Sequence, residues 1–387
     1  MPGDMWEFAT AGRVVFGAGT RHQLPAILRT FGTRALLVGG RHLLATGGVL
    51  PDLGDVILFV VNGEPTIDVV RRGADLFRTE RCDVVIGVGG GSVLDAAKAI
   101  AALATNRGDA LDYLEVIGRG QPLEYTPAPC VAVPTTAGTG SEVTRNAVLG
   151  SAEHGVKASL RHASMLPRVA VIDPELTLTL PAAVTSSTGL DALTQVIEPY
   201  VSPRATPMTD AFCLEGIRRV ARSLRISAGP EGPARLDART DMSIASLFGG
   251  LALANAGLGV VHGFAAPIGG MFAAPHGAVC AALLPHGMTA NIRALRAVDG
   301  PAARAALERY RMVAANFTGD PEATPEAGIA AVASLCADLK IPGLRAYSIN
   351  ESHAAELARK ALNGSSMKAN PIALDEEQMR AVLLAAL

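Results

Sequence analysis

Cys82-Asp83-Val84-Val85-Ile86-Gly87-Val88-Gly89-Gly90-Gly91-Ser92-Val93-Leu94-Asp95-Ala96-Ala97-Lys98 decides how the first half of this chain is read. Cys82 to Val88 has the character of a buried strand, and Ser92 to Ala104 that of a helix. Between them, Gly89, Gly90 and Gly91 let backbone N–H groups approach an anion, and the helix start adds a favourable dipole. Ser92 and Asp95 have the S-x-x-D spacing of a capping box, which predicts where that helix begins. Ser92 stands where a GxGxxG fingerprint has its third glycine, so a dinucleotide-binding fold here is a variant of the usual one. A tight strand-to-helix turn with no ligand would use the same residues.

Working outward, Arg34 to Val38, Val56 to Val61, Cys130 to Val133 and Val169 to Ile172 are further short apolar runs, and Ile67 to Phe77 has helical periodicity. Runs without polar alternation fit strands covered on both faces. After Pro181 such runs stop, and alanine- and leucine-rich segments follow at 190–201, 206–227, 234–257, 302–316, 322–339 and 351–362. The pattern predicts an α/β nucleotide-binding domain over 1–180, with a Rossmann-like parallel sheet, and an all-α domain over 181–387, with a ligand cleft between them. No internal repeat or low-complexity linker interrupts this organisation.

Apolar residues make up 49% of the 387 and charged residues 18%, below the roughly 25% usual for soluble chains. The imbalance points to well-buried central helices and an apolar contact between subunits, hence a homodimer or higher homo-oligomer. A membrane span is not expected, because the longest apolar stretch, Leu251 to Val261, is broken by Asn255 and glycines and falls short of the ~18 residues needed. A net charge of −2 without a Lys/Arg cluster argues against nucleic acid. Met1 to Glu7 lacks export features, and five scattered cysteines without a CxxC pair read as reduced thiols, so a cytoplasmic protein is expected.

Pro134 to Glu142 is a second polar loop after a strand, and the hydroxyls of Thr135, Thr136, Thr139 and Ser141 suit a ribose or phosphate. Beyond Pro181, His262 and His276 sit among glycine and aliphatic residues, and Asp191 in Gly189-Leu190-Asp191-Ala192 supplies a carboxylate in an equally apolar setting. Neutral nitrogen with anionic oxygen suits Fe(II) or Zn(II). The plain alternative for each histidine is a hydrogen-bonded core residue. Glu198 and His286 read as structural.

Together, Gly89 to Lys98, Pro134 to Thr144, Gly189 to Ser202, Gly257 to Asn291 and Ser366 to Pro371 resemble the iron-containing (group III) alcohol dehydrogenase family over nearly the whole chain. The resemblance implies a dehydroquinate synthase-like fold and hydride transfer between NAD(P)(H) and a small alcohol/carbonyl pair, usually with one Fe(II) or Zn(II). Carried over, Gly89, Gly90, Gly91 and Ser92 would hold the pyrophosphate, and Thr135, Thr136, Thr139 and Ser141 would line the cofactor. Lys157 is a candidate for the nicotinamide-ribose side, or a solvated surface charge.

Typical members bind metal through one aspartate and three histidines. Asp191, His262 and His276 match three of these, while Gln195 stands where the fourth ligand is expected. Its neutral amide oxygen is a weaker donor than imidazole. A further histidine often found near the nicotinamide falls at Ala266. Members that exclude NADP tend to have Asp where Gly39 stands, so NADP(H) is expected to be accepted, with Arg41 on the 2′-phosphate.

The reading is a metal-assisted oxidoreductase in which Asp191, His262 and His276 form the catalytic centre. Three rivals stand beside it: a metal-independent reductase of an unsaturated oxo-acid, as in maleylacetate reductases, a lyase resembling dehydroquinate synthase, and a nucleotide-binding protein without catalysis.

Overall fold

The computed structural model describes residues 5–41, 49–151, 153, 156–230, 232 and 235–387. The chain divides into two compact units. One comprises Thr10–Thr136 and Gly140–Thr179; the other comprises Leu180–Leu387 with Ala137–Thr139 and the chain start up to Ala9.

The first unit contains eight strands among its described residues: β1 (Val14–Phe16), β2 (Arg34–Gly40), β3 (Asp55–Val61), β4 (Val84–Gly89), β5 (Cys130–Pro134), β6 (Asn146–Ser151), β7 (Val156–Arg161) and β8 (Val169–Ile172). Six form one sheet in the order β1-β8-β5-β4-β2-β3, with every neighbouring pair parallel. Successive residues point to opposite faces. Leu37, Ile86, Val88 and Val131 therefore enter one core with helix α1 (Leu24–Arg29), while Leu36, Val38, Val85 and Cys130 enter another with α2 (Ile67–Thr79) and α3 (Gly91–Thr105). Each fully buried Val, Leu or Ile contributes roughly 1.5–3 kcal/mol, so covering both faces is what makes the apolar runs worth their length.

The run 56–61 behaves differently. It is the edge strand β3, with Leu58 and Val60 exposed at 55% and 45%. Strands β6 and β7 form a separate antiparallel pair that the apolar runs did not reveal. Their buried residues Ala147, Leu149, Ala158 and Leu160 are separated by Val148 and Ser159 and flanked by Asn146, Gly150 and Lys157, so no long apolar run marks them.

The capping-box expectation for α3 is corrected. The helix starts at Gly91 with Gly90 as N-cap, and no side chain caps it. Asp95 faces elsewhere, accepting from Ser141 Oγ at 2.5 Å and from Val148 N at 2.9 Å. Lys98, on the same helix and almost wholly buried, donates to Ser141 O, Thr144 Oγ1 and Asn146 O and pairs with Asp95 at 3.1 Å. These bonds pin the segment from Ser141 to Val148 onto α3. Gly87 and Gly89 allow this helix to lie close to β4, since a Cβ on either would come within 2.7 Å of Ala97 or Val93.

Among the described residues, the short helix α4 (Ala110–Tyr113) is the last α-helix of the first unit. The second unit follows with α5 (Ala182–Val201), α6 (Pro207–Ala228), α7 (Arg235–Ala256), α8 (Val260–Met271), α9 (His276–Arg296), α10 (Pro301–Thr318), α11 (Pro325–Asp338), α12 (Ala354–Leu362) and α13 (Glu376–Ala385). Among the described residues no strand follows Ile172. Residues 190–201 are the second half of α5, so Asp191 lies within a helix rather than at its start. Helices α8 and α9 carry internal Pro267 and Pro285 and several glycines, which hid them from a reading by helix propensity. Helices α7 and α8 meet at a bend of 98°. Gly257 makes it with φ +79°, and a Cβ there would sit 2.8 Å from that of Ala369. Among the described residues no single helix is long and apolar enough to cross a membrane.

Burial pushes the Glu142 carboxyl, in the 3-10 turn Ser141–Val143, up from 4.5 to about 7. The folded state then keeps a proton that the unfolded chain releases between these values, so this contribution is full below pH 4.5 and lost as pH rises through about 7. Glu142→Gln should remove that loss. In urea unfolding, the variant's stability relative to the parent should rise from pH 4.5 to 8 by up to about 3 kcal/mol, at about 1.4 kcal/mol per unit. Identical pH profiles would refute the assignment.

Candidate metal centre and nucleotide cradle

In the second unit, Asp191 of α5, His262 of α8, and His276 and Cys280 of α9 place one donor atom each within 4.8 Å of one another. His262 Nε2 lies 3.4 Å and His276 Nε2 3.8 Å from Asp191 Oδ1. Cys280 Sγ lies 3.9 Å from His262 Nε2 and 3.7 Å from His276 Nε2. Asp191 and Cys280 are fully buried, His262 nearly so, and the His276 side chain is 38% exposed. Sequence reasoning brought three of these together and missed Cys280, although its place four residues after His276 puts both on one helical face.

The local backbone explains the convergence. Glu198 lies seven residues beyond Asp191 on the same face of α5. Its Oε1 accepts from Val261 N at 2.7 Å, and Asn370 Oδ1 accepts from Val260 N at 3.1 Å, so the first N–H groups of α8 are satisfied. Glu198 Oε2 is 2.6 Å from His262 Nδ1, which leaves Nε2 facing the cluster. Glu198 is thus more than a packing residue: it orients a donor. Asn370 is held in turn by Asn291, which donates to Tyr310, and this gives Asn370 of the Ser366 to Pro371 motif its task.

Electrostatics favour a cation here. Burial pushes the Asp191 carboxyl up, but the His276 and His262 imidazoles outweigh it and hold it below its usual range. Burial pulls His262 down, yet Cys280, Asp191 and Glu198 carry it well above its ordinary value. The Cys280 charge, acting against burial and with Asp191, lifts His276 to about 9. Asp191 Oδ1 is buried and accepts no hydrogen bond. Such an orphan oxygen beside two imidazoles fits a divalent transition ion.

The other positions lie as follows. Gln195 is buried, and its Oε1 also lacks a hydrogen-bond partner. Ala266 is exposed, one turn beyond His262. His286, held below its ordinary value by burial, is not part of the cluster.

In the first unit, the carboxyl ends of adjacent strands β2, β4 and β5 carry eight of the sequence-predicted cofactor residues, Gly39, Arg41, Gly89, Gly90, Gly91, Ser92, Thr135 and Thr136. Gly39 lies in β2 opposite Val88 of β4, and Arg41 is exposed just past the strand. Gly89 ends β4, and Gly90 and Gly91 begin α3, with Ser92 in its first turn. Thr135 N donates to Gly89 O at 2.9 Å, and a Cβ on Gly90 would lie 3.3 Å from Thr136 Cγ2. The cradle and the hydroxyl loop are therefore neighbours. Because no side chain caps α3, its first N–H groups are open to an anion. Ser141 Oγ is engaged by Asp95, and Lys157 of β7 pairs with Glu64 at 3.3 Å with its side chain 14% exposed. Thr139 belongs to the other compact unit.

A glycine-rich strand-to-helix turn on a parallel sheet in one unit and a buried Asp/His cluster among helices in the other suit an oxidoreductase that acts on alcohols and their carbonyl counterparts. The chain belongs to the iron-containing alcohol dehydrogenase family: residues 11–174 match "Iron-containing alcohol dehydrogenase", and residues 185–387 match "Fe-containing alcohol dehydrogenase family, C-terminal". It is 38% identical to 1,3-propanediol dehydrogenase of Klebsiella pneumoniae over 88% of this chain and 84% of that protein. It is 36% identical to alcohol dehydrogenase 4 of Saccharomyces cerevisiae over 86% and 83%. A crystal structure of a 1,3-propanediol oxidoreductase superposes with a TM-score of 0.90 at 34% identity, covering 99% of this chain and 100% of that one. The lyase, metal-independent reductase and non-catalytic readings are not favoured by these relatives.

Two outcomes follow from the geometry. Glu198→Gln should weaken Zn(II) or Fe(II) binding by about 10–100-fold, the usual effect of losing a partner behind a ligand, with helix content unchanged. Metal affinity equal to the parent's would remove the orienting role. Gly90→Val should abolish NAD(P)H binding in a fluorescence titration while the protein stays folded, because Thr136 can yield to the added side chain. Retained affinity would move the pyrophosphate elsewhere.

Proposed function

We propose that this chain interconverts a short primary alcohol or diol and its aldehyde, using NAD(P)(H) and one divalent metal, Fe(II) or Zn(II), held by Asp191, His262 and His276. The observation that carries the reading is the buried, orphan Asp191 Oδ1 facing two imidazole Nε2 atoms. When bound, the ion supplies Lewis acidity toward the substrate oxygen, and nicotinamide supplies or accepts the hydride. The chain's own part is positioning. Glu198 fixes the tautomer of His262, and Asp191 supplies negative charge in a dry setting. Gly90, Gly91 and Ser92 offer backbone donors to the pyrophosphate, and Thr135 and Thr136 offer hydroxyls beside them. With Ala266 one turn past His262, no imidazole at that position takes up a substrate proton.

Names of relatives that act on 1,3-propanediol motivate the short-diol choice. Acceptance of NADP(H) is supported by Gly39, which brings no carboxylate to the end of β2, and by the exposed Arg41 beside it. The same reading includes a homo-oligomer, supported by the apolar residues Leu58 and Val60 exposed on β3. It also includes a cytoplasmic setting, supported by five unpaired cysteines.

Chelator-stripped protein should lose aldehyde-dependent NAD(P)H oxidation and regain it with Fe(II) or Zn(II). Full activity without metal would overturn the Lewis-acid reading. Arg41→Ala should raise KM for NADPH and leave that for NADH unchanged; equal effects on both would place Arg41 outside the 2′-phosphate site.

A further inference from the structure

We propose that Cys280 is itself a metal ligand, completing with Asp191, His262 and His276 an O,N,N,S set that favours Zn(II) over Fe(II). The inference rests on the metal-assisted reading above and assigns a donor that reading does not use.

Cys280 is fully buried and unpaired, a setting in which a thiol is ordinarily surrounded by apolar groups. Its sulfur instead meets the two nitrogens that the cluster leaves open, His276 Nε2 at 3.7 Å and His262 Nε2 at 3.9 Å. His262 Nδ1 is engaged by Glu198, so its Nε2 is the nitrogen turned to Cys280 and Asp191. The independent sign of a missing ligand is Asp191 Oδ1, buried without a hydrogen bond 3.4 Å and 3.8 Å from the same two nitrogens.

The distances suit a tetrahedral ion. Zinc bonds of about 2.0–2.1 Å to N or O and about 2.3 Å to S place donors about 3.3–3.6 Å apart around a tetrahedron. Four of the six donor separations, 3.4 to 3.9 Å, need only a few tenths of an ångström of contraction, and all the donor atoms lie within 4.8 Å of one another. Charge also balances, since a carboxylate and a thiolate offset a divalent ion while both imidazoles stay neutral. The arrangement makes sense of Gln195. Its Oε1, buried without a hydrogen-bond partner as Asp191 Oδ1 is, belongs to a neutral amide and is a weak donor. A strong donor absent from α5 is replaced by one from α9. Thiolate is soft, and tetrahedral sites containing it suit Zn(II).

The test uses the full-length protein loaded with Zn(II), and separately with Co(II). Zinc-edge X-ray absorption should show one sulfur at about 2.3 Å beside N/O neighbours at about 2.0–2.1 Å. The Co(II) form should show a near-ultraviolet sulfur-to-cobalt charge-transfer band. Both signals should vanish in Cys280→Ser and Cys280→Ala, with Cys82, Cys130, Cys213 and Cys336 still present. Zn(II) affinity should fall by at least about tenfold, the smallest loss expected even for a partner behind a ligand. Bound metal with only N/O neighbours would overturn the Cys280 assignment and leave the three-ligand reading intact. Sulfur persisting in both variants would also overturn it, and tighter retention of Fe(II) than Zn(II) would overturn the selectivity. Failure of the parent protein to bind any metal would overturn this inference and the metal-assisted reading together.

Discussion

The site depends on a single carboxylate. Glu198 uses one oxygen to accept from Val261 N and the other to meet His262 Nδ1. A helix start buried in a protein interior leaves N–H groups that must find acceptors, and an anion there also gains from the helix dipole. Helix α8 begins with glycine and two valines, none of which brings a side-chain acceptor of its own. Glu198 from α5 and Asn370 from near the C-terminus supply them. Because the same carboxylate sets the ring orientation of His262, starting the helix and aiming its imidazole are one structural event. Its burial is tolerable only because both oxygens are engaged.

The donors divide between helices in a way that makes the departures from the family pattern intelligible. Helix α5 presents Asp191, Gln195 and Glu198 along one face, and α9 presents His276 and Cys280 one turn apart. The amide at 195 takes donor strength away from the α5 side. On the proposed assignment, the sulfur at 280 restores it from the opposite side. Such an exchange keeps the ion's surroundings four-fold while softening them, which alters the preferred metal before it alters the shape of the pocket.

Much of this was legible in the sequence, for definite reasons. Continuous apolar runs identified β2, β4, β5 and β8 because strands buried on both faces carry no polar alternation, and the glycine run marked the β4-to-α3 turn. The same logic misread β3, whose residues 56–61 are just as apolar although the strand is an edge. It also passed over β6 and β7, whose apolar residues are interrupted by Asn146, Gly150, Lys157 and Ser159 and so form no long run. Asp191, His262 and His276 were found because charged and imidazole groups are conspicuous in apolar surroundings. Cys280 was not, because a cysteine in such surroundings reads as one more apolar residue. Glu198 looked structural until its second oxygen was placed on His262. The apparent capping box failed because Asp95 is needed by Ser141, Val148 and Lys98, tertiary partners that local spacing does not register.

The glycines beside the histidines look like neutral filler in the sequence, yet they set the dimensions of the centre. A Cβ on Gly259 would lie 3.0 Å from Glu198 Oε1, and one on Gly277 only 2.6 Å from Ser187 O of α5. Ordinary non-bonded contact begins at about 3.5 Å, so alanine at 277 would push α9 away from α5 by roughly an ångström. Metal–ligand distances tolerate only about 0.2 Å. The close approach that glycine permits is therefore what brings His276 and Cys280 within reach of Asp191. Side chains supply the donors, and the missing side chains on either side of them supply the distance.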